Sequence, residues 1–213
     1  MAKILLTSGP TRQFIDPVRF LSNASSGRMG AALASAALAA GHEVTIISGP
    51  VEISYPQGAE VVPVVTTDEM LEAAQRLFPQ FDGVIGVAAP CDYKPGTVAK
   101  QKISKTGDRL TLSFVETPDV IATLGASKSS SQWVVGFALE TDDVRLRALR
   151  KMIAKNCDLL VLNGPSAIDS TENEVEIFLK PGEIIAQLHG SKTDLGRQIF
   201  SLIEKHLISS VLR

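Results

Sequence analysis

The sequence predicts an α/β domain with a doubly wound, mostly parallel sheet covered by helices on both faces. Three observations predict it. Short β-rich runs, most of them apolar on both faces, alternate with helical patterns, as buried parallel strands and their crossover helices do. The 213 residues, 45% hydrophobic and 21% charged, suit one core, since a single core serves up to ~250 residues. No internal repeat, low-complexity tract or linker divides residues 1–213.

Residues 3–7 open the chain as a strand. An Ala-rich helix follows over 27–40 and closes with Gly41, then strands at 43–48 and 59–65. The run Thr67-Asp68-Glu69-Met70 carries a capping pattern and starts a helix over 67–78. A fourth strand spans 82–88. Residues 90–105 hold Pro, Gly, Lys and Thr without apolar periodicity and predict a flap, extending to about 108. Pro118-Asp119 marks a helix start. Strands at 133–138 and 158–163 bracket a helix over 142–155. Runs at 174–179 and 183–188 flank Lys180-Pro181-Gly182, which predicts an antiparallel hairpin before a last helix over 193–212.

Composition excludes several function classes. The balance of 21 Lys and Arg against 23 Asp and Glu, a formal charge of -2, argues against a nucleic-acid or membrane-surface binder. Apolar runs such as Leu159 to Leu162 fall far short of the ~20 residues of a membrane span, and Ile4-Leu5-Leu6 is too short for a secretory signal. Cys91 and Cys157 alone make neither a disulfide framework nor a zinc site, so a reducing cytoplasm is the expected location.

Chemistry concentrates at strand ends, where an open α/β sheet binds its ligands. After the first strand, Ser22-Asn23-Ala24-Ser25-Ser26-Gly27-Arg28-Met29-Gly30 forms a small-residue turn feeding a helix. It reads equally as a capped helix start or as an anion site built from free N–H groups and the helix dipole. Neither G-x-G-x-x-G nor G-x-x-x-x-G-K-[ST] is present, which argues against a nicotinamide oxidoreductase or a P-loop NTPase. Asp16-Pro17-Val18-Arg19 reads as a turn with a surface arginine, or as a guanidinium clamp for phosphate or carboxylate. Gly86, Val87 and Ala88 end the fourth strand with room for a flat ligand, and Asp92 either caps a turn or accepts from sugar hydroxyls or helps to hold a cation. Lys100-Gln101-Lys102-Ile103-Ser104-Lys105 is a solvated charge cluster unless its loop closes over that strand end, where it would neutralise a triphosphate. Lys151 and Lys155 share a helix face, and Phe137 ends a strand where a ring could lie beside a base. His42, His189 and His206 are scattered and suggest no hydrolase triad.

Together Gly9-Pro10-Thr11-Arg12, Ile15 to Asn23, Ser25-Ser26-Gly27 and Met29-Gly30 closely resemble the phosphopantothenate-cysteine ligases, also called phosphopantothenoylcysteine synthetases. Later segments match in order: Ala88-Ala89 with Asp92-Tyr93, Lys102 to Lys105, Thr117-Pro118-Asp119, Val135 to Ala138 with Glu140-Thr141, and Lys151 with Lys155-Asn156 and Asp158. The resemblance covers nearly the whole chain. It implies a Rossmann-like fold and a CTP-dependent ligase of coenzyme A biosynthesis, with ATP the less expected nucleotide. It implies Asn23 at the acyl-nucleotide, Lys102 in forming that intermediate, and Arg19 for substrate or for shaping the loop. Gly86, Val87, Ala88, Pro118, Asp119, Val120, Ile121 and Phe137 would surround the nucleotide, Asp92 its ribose, and Lys151 and Lys155 its phosphates. Ser25, Ser26 and Gly27 would take substrate. Mg2+ is implied through the triphosphate, with no side-chain ligand assigned. A homodimer is implied too. Many bacterial relatives are fused behind a flavin-dependent decarboxylase, whereas this chain starts at the ligase's first strand, so a stand-alone form, no flavin and a separate decarboxylase partner are expected. Two departures stand out: Ser104 replaces a common flap lysine, and Cys91 a commonly small residue. The rival reading is a non-catalytic Rossmann-like nucleotide-binding protein.

Overall fold

The computed structural model describes residues 1–139, 143–164 and 172–209. In chain order these form β1 (Lys3–Ser8), β2 (Arg12–Phe14), β3 (Phe20–Ser22), α1 (Arg28–Ala39), β4 (Glu43–Ser48), β5 (Glu60–Pro63), α2 (Thr67–Leu77), β6 (Gly83–Gly86) and β7 (Tyr93–Pro95). Then follow β8 (Phe114–Glu116), α3 (Val120–Ser127), β9 (Trp133–Leu139), α4 (Val144–Ala154), β10 (Leu159–Asn163), β11 (Glu172–Leu179), β12 (Glu183–Ser191) and α5 (Lys192–Ile203).

The main sheet has the order β12-β11-β10-β9-β6-β1-β4-β5. From β5 to β10 all pairings are parallel, while β11 and β12 add an antiparallel hairpin at one edge. The parallel part is two three-stranded halves, β1-β4-β5 and β6-β9-β10, diverging from the neighbours β1 and β6. Strand periodicity separates two cores. Ile4 and Leu6 of β1 join Ile46, Ile85 and Val135 beneath α1 and α5, while Leu5 joins Ile47, Val84 and Val134 beneath α2, α3 and α4. Both faces are buried, as the uninterrupted apolar runs required.

The boundaries differ from expectation where local chemistry decides them. Thr66, not Thr67, caps α2, in a reciprocal pair with Glu69, and Thr67 is buried instead. At α1 the cap is Gly27 in the left-handed region (φ 74), with no side-chain cap bond from Ser25 or Ser26. The fourth strand stops at Gly86 rather than 88, although Val87 and Ala89 still donate to the carbonyls of Thr7 and Gly9. Part of the expected flap is strand, because β7 pairs antiparallel with β8, and β2 pairs likewise with β3. Glu140, Thr141 and the expected helix start Asp142 lie outside the described residues, as does the end of the last helix, which passes through a π-helical turn at Glu204–Ile208. Among the described residues, no helix is long and apolar enough to cross a membrane.

Candidate functional site

The crevice where β1 and β6 diverge opens into a cleft of about 340 Å³. Thr7 ends β1 on one side, and Gly86, Ala88, Pro90, Cys91 and Asp92 descend from β6. Tyr93 and Glu116 enter from β7 and β8, Thr117 to Ile121 lead into α3, Phe137 projects from β9, and Lys155 follows α4. The sequence-derived residues Gly86, Ala88, Asp92, Pro118, Asp119, Val120, Ile121, Phe137 and Lys155 therefore meet in one place, whereas Val87, Lys102 and Lys151 do not line it. Part of the reason for small residues is internal. A Cβ on Gly86 would stand 2.2 Å from Ile121 Cδ1, so glycine lets Ile121 reach the cleft floor.

Lys155 is held over the start of α3. Its Nζ lies 2.9 Å from an Asp119 oxygen, and Asp119 also caps α3 by accepting from the Ala122 N–H. The turn after α4 carries this geometry: Asn156 adopts φ 49 and donates to the Gly125 carbonyl at 2.8 Å, while Lys180 donates to its side-chain oxygen. Helix and turn touch so closely that a Cβ on Gly125 would lie 2.0 Å from the Lys155 carbonyl oxygen. Gly125→Ala is expected to cost about 1–3 kcal/mol in stability and to move Lys155, which would weaken binding of any nucleotide the cleft takes. Thermal denaturation and nucleotide titration check both, and wild-type values in each would refute the contact.

Beneath the cleft, a ring of hydroxyls fixes Cys91. The Cys91 N–H donates to Thr11 Oγ1 at 2.8 Å, Thr11 and Thr67 hydroxyls meet at 2.9 Å, and Thr67 donates back to the Cys91 carbonyl at 3.3 Å. Gln13 donates to Thr67 and Thr117 to the Cys91 carbonyl. Every hydroxyl proton is used if Thr11 donates to Thr67. Sequence reasoning gave Thr11 no role and missed Gln13, Thr67 and the Thr117 hydroxyl, because buried polar partners this far apart leave no local pattern. From above, the Asn23 amide nitrogen donates to the carbonyls of Ala89 at 3.3 Å and Pro90 at 2.9 Å. It ties the segment after β6 to the loop after β3. Ser25 and Ser26 lie on that loop outside the cleft lining, and a Cβ on Gly27 would meet Val51 at 2.9 Å.

Arg19 lies against Asp16 and the Ile103 carbonyl, which joins the β2–β3 loop to the flap; Lys102 is exposed beside Ile103. Burial would raise the Asp16 carboxyl, but N–H donors from Val18, Ile103 and Arg19 and the Arg19 charge hold it below the ordinary range. Burial pushes the Cys157 thiol up to about 11 and raises Cys91 as well, the latter against bonds to Thr11 and Asn23. At pH 8 neither thiol is therefore expected to react with an aromatic disulfide reagent in the native protein, and both should react after unfolding. One fast-reacting native thiol would contradict this. Among the described residues, no group of three or more His, Cys, Asp or Glu could hold a metal ion.

Comparison with known proteins identifies the family and agrees with the fold. A family profile, the DNA/pantothenate metabolism flavoprotein C-terminal domain, matches residues 1–207. The coenzyme A biosynthesis bifunctional protein CoaBC of Vibrio parahaemolyticus is 40% identical over 208 residues, covering 95% of this chain and 51% of that protein. The CoaBC protein of Escherichia coli (strain K12) is 42% identical over 192 residues, 87% of this chain and 47% of that one. The chain thus spans about half the length of these relatives. A crystal structure of the C-terminal domain of a CoaBC protein superposes with a TM-score of 0.83 at 36% identity, covering 97% of this chain and 96% of that one.

Proposed function

Since the chain belongs to the DNA/pantothenate metabolism flavoprotein C-terminal domain family, we propose that it is a phosphopantothenate-cysteine ligase of coenzyme A biosynthesis, joining 4'-phosphopantothenate and L-cysteine at the expense of CTP. The observation that carries this reading is the convergence of Gly86, Ala88, Asp92, Pro118 to Ile121, Phe137 and Lys155 on one cleft at the sheet's switch point.

The chemistry needs a nucleotide. A carboxylate at neutral pH is a poor electrophile and oxide a poor leaving group, so no amide forms directly. In the proposed reaction the carboxylate of 4'-phosphopantothenate attacks the α-phosphate of CTP, the bond to pyrophosphate breaks, and an acyl-cytidylate results. The cysteine amine then attacks the acyl carbon, and CMP leaves. Asp92 would accept from the ribose hydroxyls, Phe137 and the main chain around Ala88 and Pro118 to Ile121 would enclose the nucleoside, and Lys155 and Lys151 would bind phosphates. Lys102 would offset the triphosphate charge as the carboxylate approaches, and Asn23 would hold the acyl-nucleotide beside the end of β6. Ser25, Ser26 and Gly27 would take the pantothenate arm. With no protein cage of acidic ligands among the described residues, Mg2+ would be held through nucleotide phosphates, where it screens their charge. A cytoplasmic homodimer whose product passes to a decarboxylase completes the proposal.

The test is pyrophosphate release by the purified protein with 4'-phosphopantothenate, cysteine and Mg2+, comparing CTP with ATP and identifying the product by mass spectrometry. Phosphopantothenoylcysteine formed preferentially with CTP is the expected result. No product with either nucleotide would favour the non-catalytic nucleotide-binding reading.

A further inference from the structure

Asp16 has no exposed surface, and its carboxylate reaches across 87 residues of chain to the flap. Oδ1 accepts from the N–H groups of Val18 at 2.8 Å and Arg19 at 2.9 Å, closing its own turn. Oδ2 accepts from the Ile103 N–H at 3.2 Å and pairs with Arg19 Nε at 3.0 Å. Arg19 in turn donates through Nη2 to the Ile103 carbonyl. One ion pair thus engages both main-chain groups of a single flap residue, as a neighbouring strand would. Earlier in the flap, the Ala99 N–H donates to the Ile15 carbonyl at 3.0 Å.

We propose that Asp16 and Arg19 are positioning residues that latch the flap, fixing the main chain of Lys102 beside Ile103. The link to chemistry rests on the ligase reading, while the latch itself stands without it. Both oxygens of Asp16 are filled by four donors, so it has no capacity left for a ligand. Arg19 spends its fork on Asp16 and Ile103 rather than on a bound anion. The latch engages the main chain of Ile103 and makes no use of its side chain.

Substitution at either residue breaks the pattern in a defined way. Asp16→Asn sets an amide NH2 against donors on whichever side it points, a buried mismatch. Arg19→Lys keeps the charge but loses the planar fork that spans Asp16 and Ile103. Limited trypsin digestion of the full chain, read by mass spectrometry at Lys100, Lys102, Lys105 and Arg109, measures flap opening directly. Each variant is expected to raise flap cleavage about tenfold or more while thermal unfolding stays cooperative. If Asp16→Asn does not fold, Arg19→Lys, whose side chain is at the surface, carries the test. Flap cleavage at the wild-type rate in the folded variants overturns the latch, whether or not the chain makes pyrophosphate. In an active protein, Asp16→Asn added to Lys102→Gln should cost little beyond Lys102→Gln alone. Fully multiplicative losses would overturn the assignment of Asp16 to Lys102 positioning.

Discussion

Replacing Lys102 by Gln is expected to lower the rate of pyrophosphate release by about 10²- to 10³-fold, the loss typical of one preorganised electrostatic contact to developing charge. The side chain is exposed on the flap, so its removal should leave stability within about 0.5 kcal/mol of wild type. This separation makes the experiment decisive. A carboxylate must approach a triphosphate in the first step, two anions that repel at close range, and a flap cation lowers that cost only when the flap is docked. Single-turnover pyrophosphate release and thermal denaturation should therefore diverge, the first collapsing and the second unmoved. Intermediate formed at the normal rate would remove Lys102 from the first step.

Asn23→Asp should divide the reaction at the other half. The amide nitrogen that donates to the Ala89 and Pro90 carbonyls becomes a carboxylate oxygen, which donates to neither. Carboxylate and carbonyl oxygens then face each other, and the segment after β6 moves away from the β3 loop. Under the proposed reaction, pyrophosphate still forms in a single turnover, whereas amide formation slows by about 10²-fold or more and acyl-cytidylate accumulates. Mass spectrometry of the quenched reaction checks this. Phosphopantothenoylcysteine formed at the normal rate would show that Asn23 has no part in the second step.

The parallel strands were legible because burial on both faces leaves continuous apolar runs such as Ile4-Leu5-Leu6 and Leu159 to Leu162. The small sheets were not, since the three residues of β2, β3, β7 or β8 are too few to display a period. At α2, adjacent Thr66 and Thr67 can both cap a helix, and only the buried hydroxyl ring decides which one turns inward. For the cleft, spacing pointed to strand ends, and the family resemblance supplied the nucleotide positions. Asp16 shows the limit of both. Its local signal is an ordinary Asx turn, while its partner Ile103 comes from a flap with no pattern of its own.

The contact between Lys155 and Asp119 balances one positive and one negative charge at the cleft wall. Under the proposed reaction, a phosphate group arriving at Lys155 would meet a cation already compensated by a protein carboxylate, so binding would be an exchange of one counter-ion for another. Part of the Coulomb attraction would be cancelled by the pair it breaks. Discrimination would then shift from total negative charge toward shape, because an anion that fails to fill the cleft would gain too little to displace Asp119. Asp119 binds Lys155 through one oxygen and caps α3 through the other, so under the same reading it would stay in place to reclaim the lysine when the product departs.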